Sequence, residues 1–159
     1  MRSLIMLLII NICACGNIQE YQYKRTLGYD FETFHEMFVT VGNINTPAPE
    51  LVEHWTDEAF DFWISKYPDL AECVYKTTPN VHAIFYDREY VIANGQACAG
   101  LAFYEPLRIE ISYGGPIKIR GVFIHELSHI FVAKCFNDFN PVTHHAFFEH
   151  IGLNEFTIY

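Results

Sequence analysis

His125-Glu126-Leu127-Ser128-His129 constrains this chain more than any other five residues. On a helix, two histidines four positions apart project from one face, one above the other. Both imidazoles can then coordinate a single Zn²⁺ while the glutamate between them reaches a water on the metal. The flanks favour a helix. Residues 117–124 and 130–136 are mostly apolar, Pro116 stands where a first helical residue is tolerated, and no proline follows until Pro141. Phe123, Leu127, Ile130, Phe131 and Lys134 fall around its other sides, so the helix is expected to be mostly buried. An apolar helix does not bury His, Glu and His so close together unless each has a polar partner.

These residues resemble the active-site helix of the zincin metallopeptidases, which carries His-Glu-x-x-His. The motif itself covers five residues, and with its helix and the region downstream the resemblance extends over about the last third of the chain. It implies that His125 and His129 are zinc ligands and that Glu126 is the general base, taking a proton from the water that attacks a scissile carbonyl. The cofactor implied is one Zn²⁺ per chain and the substrate a peptide or protein. Positions 132 and 135 are Val and Cys, so the metzincin continuation His-x-x-Gly-x-x-His is excluded.

A catalytic zinc needs a third protein ligand and an open position. The candidates lie in residues 140–152. Asn140 can cap a short helix, Pro141 can be its first residue and Gly152 can end it. On that helix His144 shares a face with Phe148 and Ile151, whereas His145 shares one with Glu149. The run His144–Phe148 resembles the third-ligand stretch of small zincins, where a histidine precedes a helix bearing an aromatic four residues on, and that similarity favours His144. Glu149 competes. It follows His129 at the spacing by which thermolysin-like enzymes place a glutamate ligand, although Leu153 stands where they expect an acidic residue. His145 is the other alternative. A histidine here that does not ligate can donate to the tetrahedral intermediate or support a ligand from behind.

Residues 1–14 read as an export signal: Met1-Arg2-Ser3 is a short basic start, and the apolar run from Leu4 to Ile12 is too short to span a bilayer. Ile12-Cys13-Ala14-Cys15 resembles the lipobox of bacterial lipoproteins. That implies cleavage before Cys15, acylation of Cys15 and a membrane lipid anchor, with Gly16 implying outer-membrane sorting in a diderm bacterium. An ordinary signal peptide cut near Ala14 or Gly16 is the alternative, giving a periplasmic or secreted protein. Residues 15–30 read as a tether and 31–159 as one zincin-like domain.

About 145 residues after such a cut are enough for a single sizeable core. The formal charge of −9 becomes −10 once Arg2 leaves the 10 basic residues set against 19 acidic ones. This acidity argues against nucleic acid or anionic lipid as partner. Beyond residue 15 the cysteines are Cys73, Cys98 and Cys135. An odd number leaves one thiol free, and a Cys73–Cys98 bridge is expected, with Cys135 in the core.

The expected class is α+β: N-terminal helices, a small mixed sheet, the buried motif helix and a short C-terminal helix. Phe31 to Val39 has apolar residues at helical spacing, and Glu50 to Lys66 reads as an amphipathic helix with Leu51, Trp55, Ala59, Phe62 and Trp63 inward. Strands are expected at 81–86, 90–93, 101–104 and 107–113, with a turn at Ala93-Asn94-Gly95. In zincins the edge strand above the cleft pairs with extended peptide, and either 100–105 or 107–113 can have that place here. Gly114-Gly115 leaves room for the backbone beside the site, and Tyr113 is a candidate polar group at the cleft. His82 reads as a half-buried strand residue, and His35 and His54 as residues on solvated helix faces.

The implied activity is that of an exported zinc metallopeptidase. Two alternatives share the motif: a non-catalytic zincin-like lipoprotein that binds a partner, and a zinc amidase acting on cell-wall peptides. Glu126 weighs against the first, because a binding protein has no need of the base.

Overall fold

Two apolar strands form the middle of the molecule. In the computed structural model, which describes residues 28–41, 47–114 and 118–158, β3 (His82–Tyr86) and β7 (Leu107–Ser112) run parallel, with Ala83 opposite Ile109 and Phe85 opposite Ile111. On β7, Leu107, Ile109 and Ile111 alternate inward, as a strand with one buried face requires. β2 (Phe38–Val41) joins β3 in parallel, and β1 (Phe31–Glu32) pairs with β2 antiparallel. β6 (Gly100–Tyr104) pairs antiparallel with β7 on the other side, so the sheet order is β1-β2-β3-β7-β6 and β6 is an edge. A separate hairpin, β4 (Val91–Ala93) and β5 (Gln96–Cys98), turns at Asn94 and Gly95, both at positive φ.

Five helices complete the α+β fold among the described residues. α1 (Pro49–Lys66) starts with proline at its first position and buries Val52, Trp55, Thr56, Ala59, Phe60 and Trp63. α2 (Ala71–Thr77) is short. α3 (Ile119–Cys135) carries the histidine motif and is buried on nearly every side, so its apolar residues show little preference for one face. α4 (Pro141–Ile151) and α5 (Leu153–Ile158) follow, separated by Gly152 at φ 78°. α1 and α3 pack on the sheet through Trp55, Phe85 and Phe123, whose ring centroids lie 5.9 to 6.5 Å apart.

Three devices hold α3. Arg120 makes a two-pronged pair with Glu58 of α1 at 2.8 and 2.9 Å and also donates to the Phe156 carbonyl of α5. Trp63 Nε1 donates to Ser128 Oγ at 2.8 Å, and Ser128 in turn donates to the Ile124 carbonyl. A disulfide joins Cys73 of α2 to Cys135, the last residue of α3. This corrects the expected Cys73–Cys98 bridge. Cys98 sits on the hairpin and is free, whereas α2 packs directly on α3.

Other expectations also change. Residues 31–39 form two strands rather than a helix. The chain turns at Glu36 with φ 61°, sending Met37 and Val39 into the core and leaving Phe34 92% exposed. On α1 the inward face is rotated from the one expected. Val52 and Phe60 are buried, Leu51 is 46% exposed, and Phe62 is only partly buried, against Phe156. β4 belongs to the hairpin and not to the main sheet. The motif helix begins at Ile119, and Gly115, Pro116 and Ile117 lie outside the described residues. So do the signal-like residues 1–14, Cys15 and the expected tether apart from residues 28–30. His82 donates to or accepts from Thr40 Oγ1 at 2.7 Å and is buried. His54 is exposed on α1, and His35 lies not on a helix but in the β1–β2 turn, stacked on Phe60.

Candidate metal centre

α3 lines the floor of a cleft of about 890 Å³, walled on one side by β6 and the β4–β5 hairpin and on the other by α4. The 3.6-residue period places His125 and His129 on the floor one turn apart, with Glu126 beside them. His125 Nε2 lies 3.2 Å from His129 Nε2 and 3.4 Å from His145 Nε2, and one ligand atom from each of the three falls within 4.8 Å of the others. Tetrahedral zinc with Zn–N bonds of about 2.0–2.1 Å spaces its nitrogens by about 3.3 Å. The measured separations match that edge length, so these three residues fit the ion.

His144 and His145, adjacent on α4, point about 100° apart around the helix axis and go to different places. His145 is exposed and reaches the cleft. His144 is fully buried with Phe148 and Ile151, the face read from the sequence. Its Nδ1 lies 2.9 Å from His129 Nδ1, on the side of that ring away from His125 and His145. The residue favoured as third ligand thus stands behind His129, and the alternative His145 completes the group with His125 and His129. Glu149 is exposed and is not part of the group.

The electrostatics suit metal binding. Burial holds His125 down at about 4, helped by His145, and His129 down at about 3, helped by the neighbouring histidines. Both rings are therefore neutral at pH 7, as ligation requires. Burial alone pushes Glu126 up to about 8. The Glu126 side chain lies against Gly100 of β6, where an added methyl would come within 2.6 Å of its Cγ and 2.9 Å of its Oε1. Only glycine lets the glutamate and the edge strand approach so closely.

Two residues around the site carried no sequence signal, one in the cleft and one buried beneath α3. Tyr104, at the end of β6, lines the cleft with its ring edge-on to His144; burial raises its hydroxyl, and the carboxylates of Glu126 and Asp138 add to that. Tyr113, the tyrosine singled out from the sequence, does not line it. Ser128 is the other, since only the fold brings it to Trp63. Gly114 does need its lack of a side chain, but against the Arg88 backbone rather than beside the histidines. A second grouping, His35, Glu53 and Asp57, has a structural explanation: His35 pairs with Asp57 at 2.8 Å and Glu53 accepts the Phe34 N–H, closing the β1–β2 turn onto α1.

No family model, curated protein or solved structure matches this chain.

Proposed function

We propose that this chain is an exported zinc metallopeptidase in which His125, His129 and His145 hold the ion and Glu126 is the general base. The observation that supports it most strongly is His125 Nε2 at 3.2 Å from His129 Nε2 and 3.4 Å from His145 Nε2, beside a buried glutamate in an open cleft. When bound, zinc supplies Lewis acidity, drawing the pKa of water toward neutrality and polarising a carbonyl. Glu126 takes the proton of the attacking water and passes it to the leaving amine. Tyr104, on the β6 wall of the cleft, donates to the oxygen that becomes negative. β6, the last strand of the sheet among the described residues, has Gly100, Leu101 and Ala102 along the cleft and offers backbone groups to an extended peptide.

Export and anchoring come from the sequence of residues 1–15, with Cys15 as the acylated residue. Full-length protein should enter the detergent phase and Cys15→Ser should not. For the chemistry, the test is zinc content and peptide hydrolysis by wild type and Glu126→Gln. About one zinc per chain is expected in both, with hydrolysis lower by about 10² to 10⁴ in the variant. Undiminished turnover would remove the peptidase reading. Digests of peptides against muropeptides distinguish ordinary peptide bonds from cell-wall amides.

A further inference from the structure

His144 is wholly buried, is absent from the cleft lining, and yet is bonded through both ring nitrogens. Its Nε2 lies 2.7 Å from the Asp138 carbonyl oxygen and its Nδ1 lies 2.9 Å from His129 Nδ1. A carbonyl oxygen only accepts, so Nε2 of His144 carries a hydrogen. With one proton on the ring, Nδ1 of His144 is then a lone pair, and the hydrogen between the two imidazoles belongs to His129 Nδ1. That leaves the lone pair of His129 on Nε2, the atom 3.2 Å from His125 Nε2. Every proton in this chain is set by the group at its end.

We infer that His144 is a positioning residue that fixes the tautomer and ring orientation of His129 through the Asp138 carbonyl; this rests on the zinc reading above. Ligand histidines commonly give their second N–H to a carboxylate or a carbonyl. Here a second imidazole stands between ligand and carbonyl. The loop holds that carbonyl firmly: Asp138 Oδ1 accepts from the Asn140 N–H at 2.9 Å, and Oδ2 accepts from Thr143 Oγ1 at 2.6 Å. Adjacent histidines on α4 thereby divide the work. His145 faces the cleft, and His144 supports the opposite ligand from behind.

The first test is the imidazole nitrogen spectrum of the ¹⁵N-labelled full-length chain after chelator treatment. His129 is expected as the Nδ1–H tautomer and His144 as the Nε2–H tautomer, with His129 losing that fixed state in His144→Leu. The second is zinc affinity by chelator competition. His144→Leu should bind about 10- to 100-fold more weakly yet still fill one site per chain. His144→Asn, whose side-chain oxygen can replace Nδ1 as acceptor, should recover most of the loss and remains informative if the leucine variant fails to fold. A proton on His129 Nε2 in wild type would overturn the inference. So would unchanged affinity in both variants, or loss of binding as complete as in His129→Ala, which would make His144 itself a ligand. A wild type that binds no zinc would instead remove the zinc reading, while the nitrogen spectrum still judges the hydrogen-bond chain.

Discussion

The two helices that supply the imidazoles are held in very different ways. α3 is fixed by the core on almost every side, by the Arg120–Glu58 pair, by the Trp63–Ser128 hydrogen bond and by the disulfide at its last residue. α4 buries only His144, Phe148 and Ile151, and its entry is set by the short loop around Asp138 and Asn140. α3 fixes His125, Glu126 and His129 in one rigid register, so their relative positions follow from the helical period alone. Which histidine of α4 faces them depends on how far α4 is rotated, which a loop decides. The difference teaches that a site of this kind is only as legible as the stiffest element that carries each part of it.

The sharpest way to break this comparison is to remove the one cleft-facing histidine of α4. His145→Ala should lower zinc affinity by more than about 10²-fold, because two ligands cannot close a tetrahedral site, whereas Glu149→Ala should leave it unchanged. Chelator competition measures both. Loss in Glu149→Ala with retention in His145→Ala would show that the third ligand comes from the next turn on the same face of α4.

Next in size is the cost that burial places on the titratable groups of α3 in the metal-free chain. Glu126 titrates at about 8 in the folded chain against an ordinary 4.5, so the folded state holds the proton more tightly than the unfolded one. This contribution to stability is complete below 4.5 and is lost as pH rises toward 8, at up to about 1.4 kcal/mol per pH unit. His125 and His129 act in the opposite sense, contributing above 6.5 and losing that contribution as pH falls toward about 4 and 3. Urea unfolding of the metal-free protein should show Glu126→Gln gaining on wild type steadily from pH 5 to 8. Parallel curves would mean that Glu126 is not buried as described.

The disulfide comes third. It closes a 62-residue separation between α2 and α3, and replacing both Cys73 and Cys135 by serine should cost about 2–4 kcal/mol in reversible unfolding. The same change at Cys98 should cost little. A large loss from Cys98→Ser alone would reinstate the pairing expected from sequence. Smallest is Ser128→Ala, which leaves the buried Trp63 N–H without its acceptor and should cost about 1–3 kcal/mol with zinc affinity intact.

Much of this was legible beforehand. The motif helix, the cap at Asn140, the stop at Gly152, the turn at Asn94-Gly95 and the face that His144 shares with Phe148 and Ile151 all follow from local chemistry, and all are present. What misled was longer in range. Phe31, Phe34 and Phe38 mimic a helical stripe, but a parallel partner across the fold, β3, draws 38–41 into the sheet. The Cys73–Cys135 bond depends on α2 lying beside the end of α3, which no spacing reveals. His144 and His145 are neighbours in sequence, and only the rotation of α4 decides which faces the cleft and which lies behind His129. Tyr104 and Ser128 needed the sheet edge and α1 in place before they had any partner to find.

Zinc K-edge X-ray absorption on the purified full-length chain tests the proposed centre most directly. The expected spectrum shows about one zinc per chain with three imidazole nitrogens at about 2.0–2.1 Å and one further light atom. A shell of two imidazoles with a carboxylate, or a chain that retains no zinc, would contradict the assignment of His125, His129 and His145 as the three ligands.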